Sequence, residues 1–266
     1  VQKQTDECVN SGAVALVYLI GTWVLANHVV DSIMDVSVPF AIWGIPEPAS
    51  FSSVGANVLH GALDEMGISH KLVYGWPEDK DVIEDISNFV SAAAIKKKLQ
   101  KSRMGLFGGR TISAYPTTAD HNQIKKLFGI EVEHFDQLLL LEKARQVPVE
   151  TCDEIIAGMK QRYASVNVPH DMLQRTVSVY VALKELVREY NLDMVSVKCI
   201  GEFMDKYASC CLATSMLNDE GVVSTCQCDV NATISAYILS NLTKQPVFFG
   251  DVNTVSKEER VARRSE

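Results

Sequence analysis

Hydrophobic residues follow two alternating patterns along the chain: short continuous runs, and longer segments with apolar residues three or four positions apart. Short runs are typical of strands buried on both faces of a parallel sheet, and spaced segments are typical of helices that bury one face. The predicted strands are residues 13–20, 38–45, 70–75, 104–107, 130–134, 194–197, 222–226 and 246–250. The predicted helices are residues 23–34, 52–66, 78–100, 121–127, 171–190, 203–217 and 230–242, with one or two more between 136 and 170. The alternation predicts an α/β fold of two doubly wound, mostly parallel three-layer domains.

The long helix over residues 78–100 separates two groups of strands and predicts a domain boundary inside or near it. We expect the latter part of a first α/β domain over residues 1–80 and a second α/β domain over residues 81–244. Residues 245–266 then form the first strand and the tail of a truncated C-terminal domain. The chain begins with Val1 and ends in a polar stretch soon after its last apolar run, so we expect it to be cut from a longer protein.

Composition narrows the class of protein. The chain has 266 residues, of which 47% are hydrophobic, and a formal net charge of −8, so it is globular and nucleic acid is not an expected partner. No apolar run reaches the ~18 residues that a bilayer span needs, which predicts a soluble protein without a membrane partner. An odd number of mostly apolar-flanked thiols fits a reducing cytosol and predicts a cytoplasmic location. The seven cysteines include adjacent Cys210 and Cys211 and do not form a disulfide framework. Cys226 and Cys228 lack a second pair at zinc-site spacing and are interpreted as core or site-lining thiols.

Polar side chains follow two of the last predicted strands. Gln227 comes directly after residues 222–226, and Asp251 comes directly after residues 246–250; Asp229 is close in sequence. Because ligands collect at the carboxyl ends of parallel strands, these side chains are candidates to hold a metal ion or move a proton. Oxygen ligands suit a hard divalent ion such as Mn²⁺ or Mg²⁺. Solvated polar groups at strand exits are the alternative.

Other common sites lack support in the sequence. No Ser/His/acid triad is visible, and none of the six histidines lies in a motif that supports a nucleophile. Gly108 and Gly109 follow a predicted strand, but neither phosphate-binding fingerprint is present, which favours a tight strand exit. A dinucleotide-binding oxidoreductase would rest on the fold alone, and a fold does not carry a function.

Four segments together resemble one family: VPFAIWGIPEP, GGRTISAYPTTADHNQIKKLFGIEVE, VSVKCIGEFMDKYASCCLATSMLNDEG and DVNATISAYILSNLTKQPVFFGDV. They are similar to the L-fucose isomerase family, which is related to L-arabinose isomerase, and the resemblance extends in order over nearly the whole chain. It implies two doubly wound α/β domains followed by a mainly β domain. It also implies an aldose–ketose isomerase, an intramolecular oxidoreductase of carbohydrate metabolism that works through an enediol with Mn²⁺ or another divalent ion. A homo-oligomer and a small sugar substrate are further expectations of the resemblance.

By the same resemblance, Gln227 and Asp251 are the catalytic and metal-binding residues. Asp251 matches the family's aspartate, whereas Gln227 stands where the family has its catalytic glutamate. A carboxamide can offer oxygen to a metal but cannot take a proton at neutral pH, and loss of a general base costs roughly 10²–10⁴-fold in rate. The family's third metal ligand, a histidine, falls beyond the end of this chain. We therefore expect the chain alone to be inactive; the alternative is a catalytically silent sugar-binding or assembly relative.

Overall fold

The computed structural model of the protein describes residues 1–258 and 261–265. The chain forms two compact units, Val1–Lys98 and Leu99–Glu266. Each unit contains one parallel sheet flanked by helices, which confirms the predicted α/β class. The division between them falls close to the end of the long predicted helix, and the three-part division of the chain stays a prediction.

The first unit contains three parallel strands in the order β1-β2-β3. Its elements, in chain order, are α1 (Gln2–Asn10), β1 (Leu16–Ile20), α2 (Ala26–Ile33), β2 (Phe40–Gly44), α3 (Ser52–Glu65), β3 (Lys71–Tyr74) and α4 (Lys80–Leu99). The central strand β2 is apolar on both faces, and Ile42 packs with Leu59 and Leu63 of α3 in a fully buried core. Helix α1 was not predicted, because its sequence QKQTDECVN is polar almost throughout.

The N-cap position of α3 has no capping side chain. Phe51, in a left-handed conformation, is the N-cap residue, and Ser52 lies inside the helix. The Ser52 hydroxyl accepts a hydrogen bond from the backbone N–H of Ile45 at 2.8 Å and donates one to the carbonyl of Ile20. Ser52 thus links the ends of β1 and β2. Its hydroxyl is available for this role because it does not cap the helix.

The second unit contains four parallel strands in the order β5-β4-β6-β7 and a separate antiparallel hairpin of β8 and β9. Its elements, in chain order, are β4 (Arg103–Phe107), α5 (His121–Phe128), β5 (Glu131–Phe135), α6 (Gln137–Gln146), α7 (Val149–Arg162), α8 (His170–Glu189), β6 (Met194–Val197), α9 (Glu202–Lys206), α10 (Cys211–Asp219), β7 (Val223–Cys226), α11 (Val230–Thr243), β8 (Asp251–Ser256) and β9 (Val261–Ser265). Phe107, Leu183 and Val195 are fully buried in its main core. Within the described residues, no helix is both long and apolar enough to cross a membrane.

Two predicted elements of this unit are wrong. The single helix over residues 203–217 is two helices, α9 and α10, with an interruption at Tyr207, where the backbone leaves the helical region. Residues 246–250 have no regular secondary structure, and Asp251 begins β8 instead of ending a strand. An apolar run becomes a strand only where another strand pairs with it, and here it is residues 251–256 that find a partner, in β9.

The order of the strands creates a crevice in the second unit. β4 and β6 are neighbours, but the chain leaves β4 for β5 on one side and leaves β6 for β7 on the other. The loops that follow β4 and β6 therefore diverge at the carboxyl edge of the sheet. In doubly wound sheets, ligands bind at this kind of switch point.

Candidate active site

Residues 227 and 228 lie across the carboxyl ends of three strands. Gln227, directly after β7, donates its backbone N–H to the carbonyl of Val197 at the end of β6, at 2.8 Å. The thiol of Cys228 contacts the carbonyls of Phe107 on β4, at 3.5 Å, and Ser196 on β6, at 3.6 Å. The predicted position of Gln227 at a strand exit is confirmed, and that exit lies at the switch point.

The backbone at this exit is strained. Gln227 and Cys228 have φ angles of 67° and 51°, so both are in the left-handed region although neither is glycine. Each such residue costs roughly 1–2 kcal/mol. Strained residues persist where surrounding contacts fix them, and they concentrate at functional sites. The contacts of these two residues with β4 and β6 provide that fixation.

The side chain of Gln227 has an unsatisfied oxygen. Its Oε1 is buried and has no hydrogen-bond partner among the described residues. A buried acceptor left without a partner costs about 1–3 kcal/mol. The amide carbonyl is therefore suited to accept a hydroxyl or to bind a cation.

Buried hydroxyl groups of β6, β7 and α11 form hydrogen bonds next to the carboxyl end of β7. Thr225 on β7 donates to the Ser196 hydroxyl on β6 at 2.8 Å, and Ser196 donates to the carbonyl of Cys226 at 3.1 Å. Thr233 on α11 lies 2.7 Å from the Thr225 hydroxyl and also contacts the carbonyl of Asp229. The side chains of Ser196, Thr225 and Thr233 are fully buried. The sequence does not predict this chain of hydroxyls, because its only signal is the presence of polar residues inside two otherwise apolar strands.

Asp229, a predicted oxygen ligand, has a structural role. Its carboxylate accepts a hydrogen bond from the backbone N–H of Ala232 at 2.9 Å and so caps α11. Asn231, in the first turn of the same helix, donates to the carbonyl of Pro116 at 3.1 Å. The first turn of α11 is thus hydrogen-bonded to Pro116, in the segment between β4 and α5.

The loops after β4 and β6 also pack closely. Gly108 has a φ of 105°, and a Cβ there would lie 2.9 Å from side-chain atoms of both Gln137 and Lys198. Gln137 in turn donates a hydrogen bond to the carbonyl of Lys198. Glu202 pairs with Lys198 at 2.9 Å, and this hydrogen bond lowers the pKa of the Glu202 carboxyl. Gly108 therefore serves the tight strand exit that the sequence favours.

Four thiols meet beside Gln227. Hydrogen bonds with the thiols of Cys210, Cys211 and Cys226 lower the pKa of Cys199, which follows β6. Burial raises the pKa of Cys228 to about 12. All seven cysteines are free, Cys228 is buried and Cys226 is half-buried, which confirms core or site-lining thiols at these two positions.

Asp251 lies apart from these contacts. It is exposed, at the first position of β8, and its backbone is opposite Ser265 of β9. Within the described part of the chain, no hydrogen bond or ion pair joins Asp251 to Gln227. That the two residues act at one site stays a prediction.

Comparison with known proteins adds a relation to sugar isomerases. No family model matches the chain. Proteins named sulfoquinovose isomerase match it: that of Clostridium sp. (strain MSTE9) is 28% identical over 233 residues, which are 84% of this chain and 52% of the relative. That of Alkalicoccus urumqiensis is 23% identical over 258 residues, 94% of this chain and 58% of the relative. That of Priestia aryabhattai is 19% identical over 229 residues, 83% of this chain and 51% of the relative.

The chain spans about half the length of the curated relatives that it matches. The expected relation to sugar isomerases is confirmed at this coarse level, whereas the relatives are named for sulfoquinovose and not for L-fucose. The metal ion, the homo-oligomer and the cytoplasmic location stay predictions.

Proposed function

We propose that this chain is part of an aldose–ketose isomerase and that the exit of β7 contributes to its active site. The observation that carries the proposal is the Oε1 of Gln227 at the switch point of the sheet, which is buried and has no hydrogen-bond partner among the residues that the structure describes. The relatives named sulfoquinovose isomerase support the reaction class and make sulfoquinovose the first substrate to test. L-Fucose and L-arabinose follow from the family resemblance of the sequence.

Gln227 is suited to binding and not to proton transfer. Its carboxamide oxygen accepts hydrogen bonds and can coordinate a cation, but it does not take up a proton at neutral pH. The left-handed backbone at residues 227 and 228 and the contacts with β4 and β6 position this oxygen, which has no partner in the described part of the chain. In the proposed site, Gln227 holds a sugar hydroxyl or a divalent ion.

The divalent ion that the family resemblance implies fits the Gln227 oxygen, because this acceptor is buried and no described residue satisfies it. Neighbouring carboxylates are engaged elsewhere: Asp229 caps α11, and Glu202 pairs with Lys198. Gln227 and Asp251 are therefore the residues of this chain that would hold Mn²⁺ or a similar ion. When bound, such an ion stabilises negative charge that develops on the sugar oxygens.

Asp251 is the proposed proton carrier. Isomerisation moves one proton from C2 to C1 of the sugar and a second proton from the C2 hydroxyl to the C1 oxygen. A single carboxylate can remove the carbon-bound proton from one carbon and return it to the next. Asp251 can hold that proton, whereas Gln227 cannot. The family's second carboxylate is replaced here by Gln227, so turnover is expected to be slow.

The test uses the full-length protein with added Mn²⁺ and follows ketose formation from sulfoquinovose, glucose, L-fucose and L-arabinose by NMR. We expect Gln227→Glu to raise turnover by roughly 10²–10⁴-fold, the usual contribution of a general base. Asp251→Asn should abolish turnover in both backgrounds. Gln123→Glu, the same chemical change at an exposed position on α5, is the control and should change nothing.

The replacement of glutamate by Gln227 also favours a second candidate, a silent sugar-binding relative. Saturable sugar binding without ketose formation, even in Gln227→Glu, would establish that candidate and reject the isomerase. Turnover that falls in Gln227→Glu would keep the isomerase but would show that the carboxamide is the working group and that the base is misassigned.

A further inference from the structure

Two histidines and an aspartate converge in the first unit, away from every residue discussed as a site above. His60 and Asp64 lie four positions apart, on one face of α3, and His70 directly precedes β3. Their ligand atoms all lie within 4.8 Å of one another, and no other group of three or more such side chains is found among the described residues. The spacing places two ligands on a helix and the third at the start of a strand.

The hydrogen bonds fix which atoms of His70 are available. Its Nδ1 lies 2.8 Å from the carbonyl of Ile68, and because a carbonyl only accepts, Nδ1 carries the proton. Its Nε2 is then left with a lone pair, directed at the cluster. Histidines that bind metals show this arrangement, in which a carbonyl or carboxylate partner orients the ring. Stacking on Phe40, with ring planes 10° apart, further fixes the His70 ring.

The side chains of His60, Asp64 and His70 offer more lone pairs to one another than protons. His60 Nδ1 lies 2.7 Å from His70 Nε2, so one proton has to lie between these two nitrogens. The other nitrogen of His60 lies 3.5 Å from a carboxylate oxygen of Asp64, and His70 Nε2 lies 4.0 Å from the second oxygen. Two imidazole nitrogens beside a carboxylate attract a cation, and a metal ion can replace the shared proton.

We propose that His60, Asp64 and His70 bind one divalent transition-metal ion, with Zn²⁺ as the expected ion, and thereby fasten the end of α3 to β3. Two imidazoles and one carboxylate are ligands that Zn²⁺ uses at distances of about 2.0–2.2 Å, with water in a fourth position. Ions such as Mg²⁺ prefer oxygen ligands only.

The required adjustment falls on the side chains that can move. Ligand atoms on a tetrahedral Zn²⁺ lie about 3.3 Å apart, given Zn–N distances of about 2.0–2.1 Å. The His60–His70 contact must therefore open slightly, and Asp64 must approach. The side chain of His70 is only 2% exposed, whereas those of His60 and Asp64 are 36% and 61% exposed. The buried ligand stays in place, and the exposed ligands close on an ion that enters from solvent.

The experiment titrates the chelator-stripped protein with Zn²⁺ by calorimetry and with Co²⁺ by absorption. We expect one site that loses more than about tenfold in affinity in His60→Asn and in Asp64→Asn, since each removes a ligand. Asp64→Asn alters an exposed side chain and preserves the fold. His170→Asn is the matched control, because His170 contacts Asp153 at 3.0 Å but the described residues offer it no third ligand, and this variant should bind the metal as the parent protein does.

The cobalt spectrum separates this site from the cysteines. Ligation by nitrogen and oxygen gives only weak d–d bands, whereas a thiolate ligand adds an intense near-ultraviolet charge-transfer band. A saturable site without that band, weakened in both variants, supports the proposal. Absence of saturable binding, a thiolate spectrum, or unchanged affinity in His60→Asn and Asp64→Asn would overturn it. None of these results depends on the isomerase assignment.

Discussion

The buried hydroxyls beneath Gln227 offer a quantitative test of what holds the candidate site. Thr225 on β7 donates a hydrogen bond to Ser196 on β6, and Ser196 donates to the carbonyl of Cys226. The hydroxyl of Thr233 on α11 can donate to Thr225 and so extend this chain of hydrogen bonds. Thr225 is in the middle. Thr225→Val keeps the branched shape and removes the central hydroxyl.

The expected loss follows from the bonds removed. Thr225→Val eliminates two hydrogen bonds, each worth about 0.5–1.5 kcal/mol, so the free energy of unfolding should fall by about 1–3 kcal/mol. No donor is left without an acceptor, because Ser196 still donates to the carbonyl of Cys226 and the Thr233 hydroxyl is already within hydrogen-bond distance of the carbonyl of Asp229. With a urea m-value of about 2 kcal/mol/M, the midpoint should fall by about 0.5–1.5 M.

Thr214→Val is the matched control. The Thr214 hydroxyl is also buried, but among the described residues it has no hydrogen-bond partner, so its removal should be neutral or stabilising by about 1 kcal/mol. Far-UV circular dichroism follows both units, and tryptophan fluorescence follows only the first, which contains Trp23, Trp43 and Trp76. Equal shifts of the urea midpoint in Thr225→Val and Thr214→Val would refute the reasoning. The loss of stability would then come from replacing a hydroxyl by a methyl group and not from losing hydrogen bonds.

Two further predictions concern the backbone and the pH dependence of the second unit. Gly129→Ala should destabilise by about 2–5 kcal/mol, because its φ is 78° and the new Cβ would lie 2.6 Å from the Gln100 Cα; Gly221→Ala, with a φ of 84° but open space, should cost only about 1–2 kcal/mol. Similar urea midpoints for the two variants would contradict the steric argument. Burial, and then nearby His134, lower the pKa of His121, so the folded state resists a proton that the unfolded chain accepts. Stability is therefore complete above about pH 6.5 and falls as the pH drops through that value, and His121→Gln should reduce this fall in urea titrations at a series of pH values; an unchanged pH dependence would argue against it.

Hydrophobic patterning predicts the sheets because parallel strands are apolar on both faces. Residues 38–45 are such a run and correspond to the central strand β2. Residues 222–226 are buried or half-buried and rich in β-branched residues, although they include Ser224 and Thr225, and they correspond to the edge strand β7. The exit of β7 at Gln227 follows from the same pattern, since the first polar residue after a buried run marks its end. The orphaned oxygen of Gln227 does not follow, because it depends on residues that are distant in sequence.

Periodicity alone misses the break between α9 and α10. Apolar residues continue at helical spacing through it, from Phe203 to Tyr207, Cys210 and Leu217, so the pattern looks like one helix. The backbone nevertheless leaves the helical region at Tyr207, and this brings Cys210 and Cys211 into hydrogen bonding with Cys199. Tertiary contacts among thiols are not encoded in a local period.

The histidine cluster shows the opposite case, in which the spacing was visible but its meaning was not. His60 and Asp64 are four residues apart, and this spacing predicts that they lie on the same face of a helix. The third member, His70, approaches them only because Gly67, with a φ of 69°, ends α3 and returns the chain toward the sheet. A metal site of this kind depends on a turn geometry that residue types suggest but do not fix.

Gln227 combines two costs that a purely structural strand exit does not need. The left-handed pair at residues 227 and 228 costs roughly 1–2 kcal/mol per residue, and Oε1, which lacks a partner among the described residues, costs about 1–3 kcal/mol more. Together these terms are a substantial fraction of the ~5–15 kcal/mol that stabilises a typical domain. The buried hydroxyls and the contacts with β4 and β6 maintain the strained backbone, but they leave the oxygen unmet. Only a group from outside the described contacts can offset the cost of burying Oε1, and a sugar hydroxyl or a divalent ion at the switch point would do so.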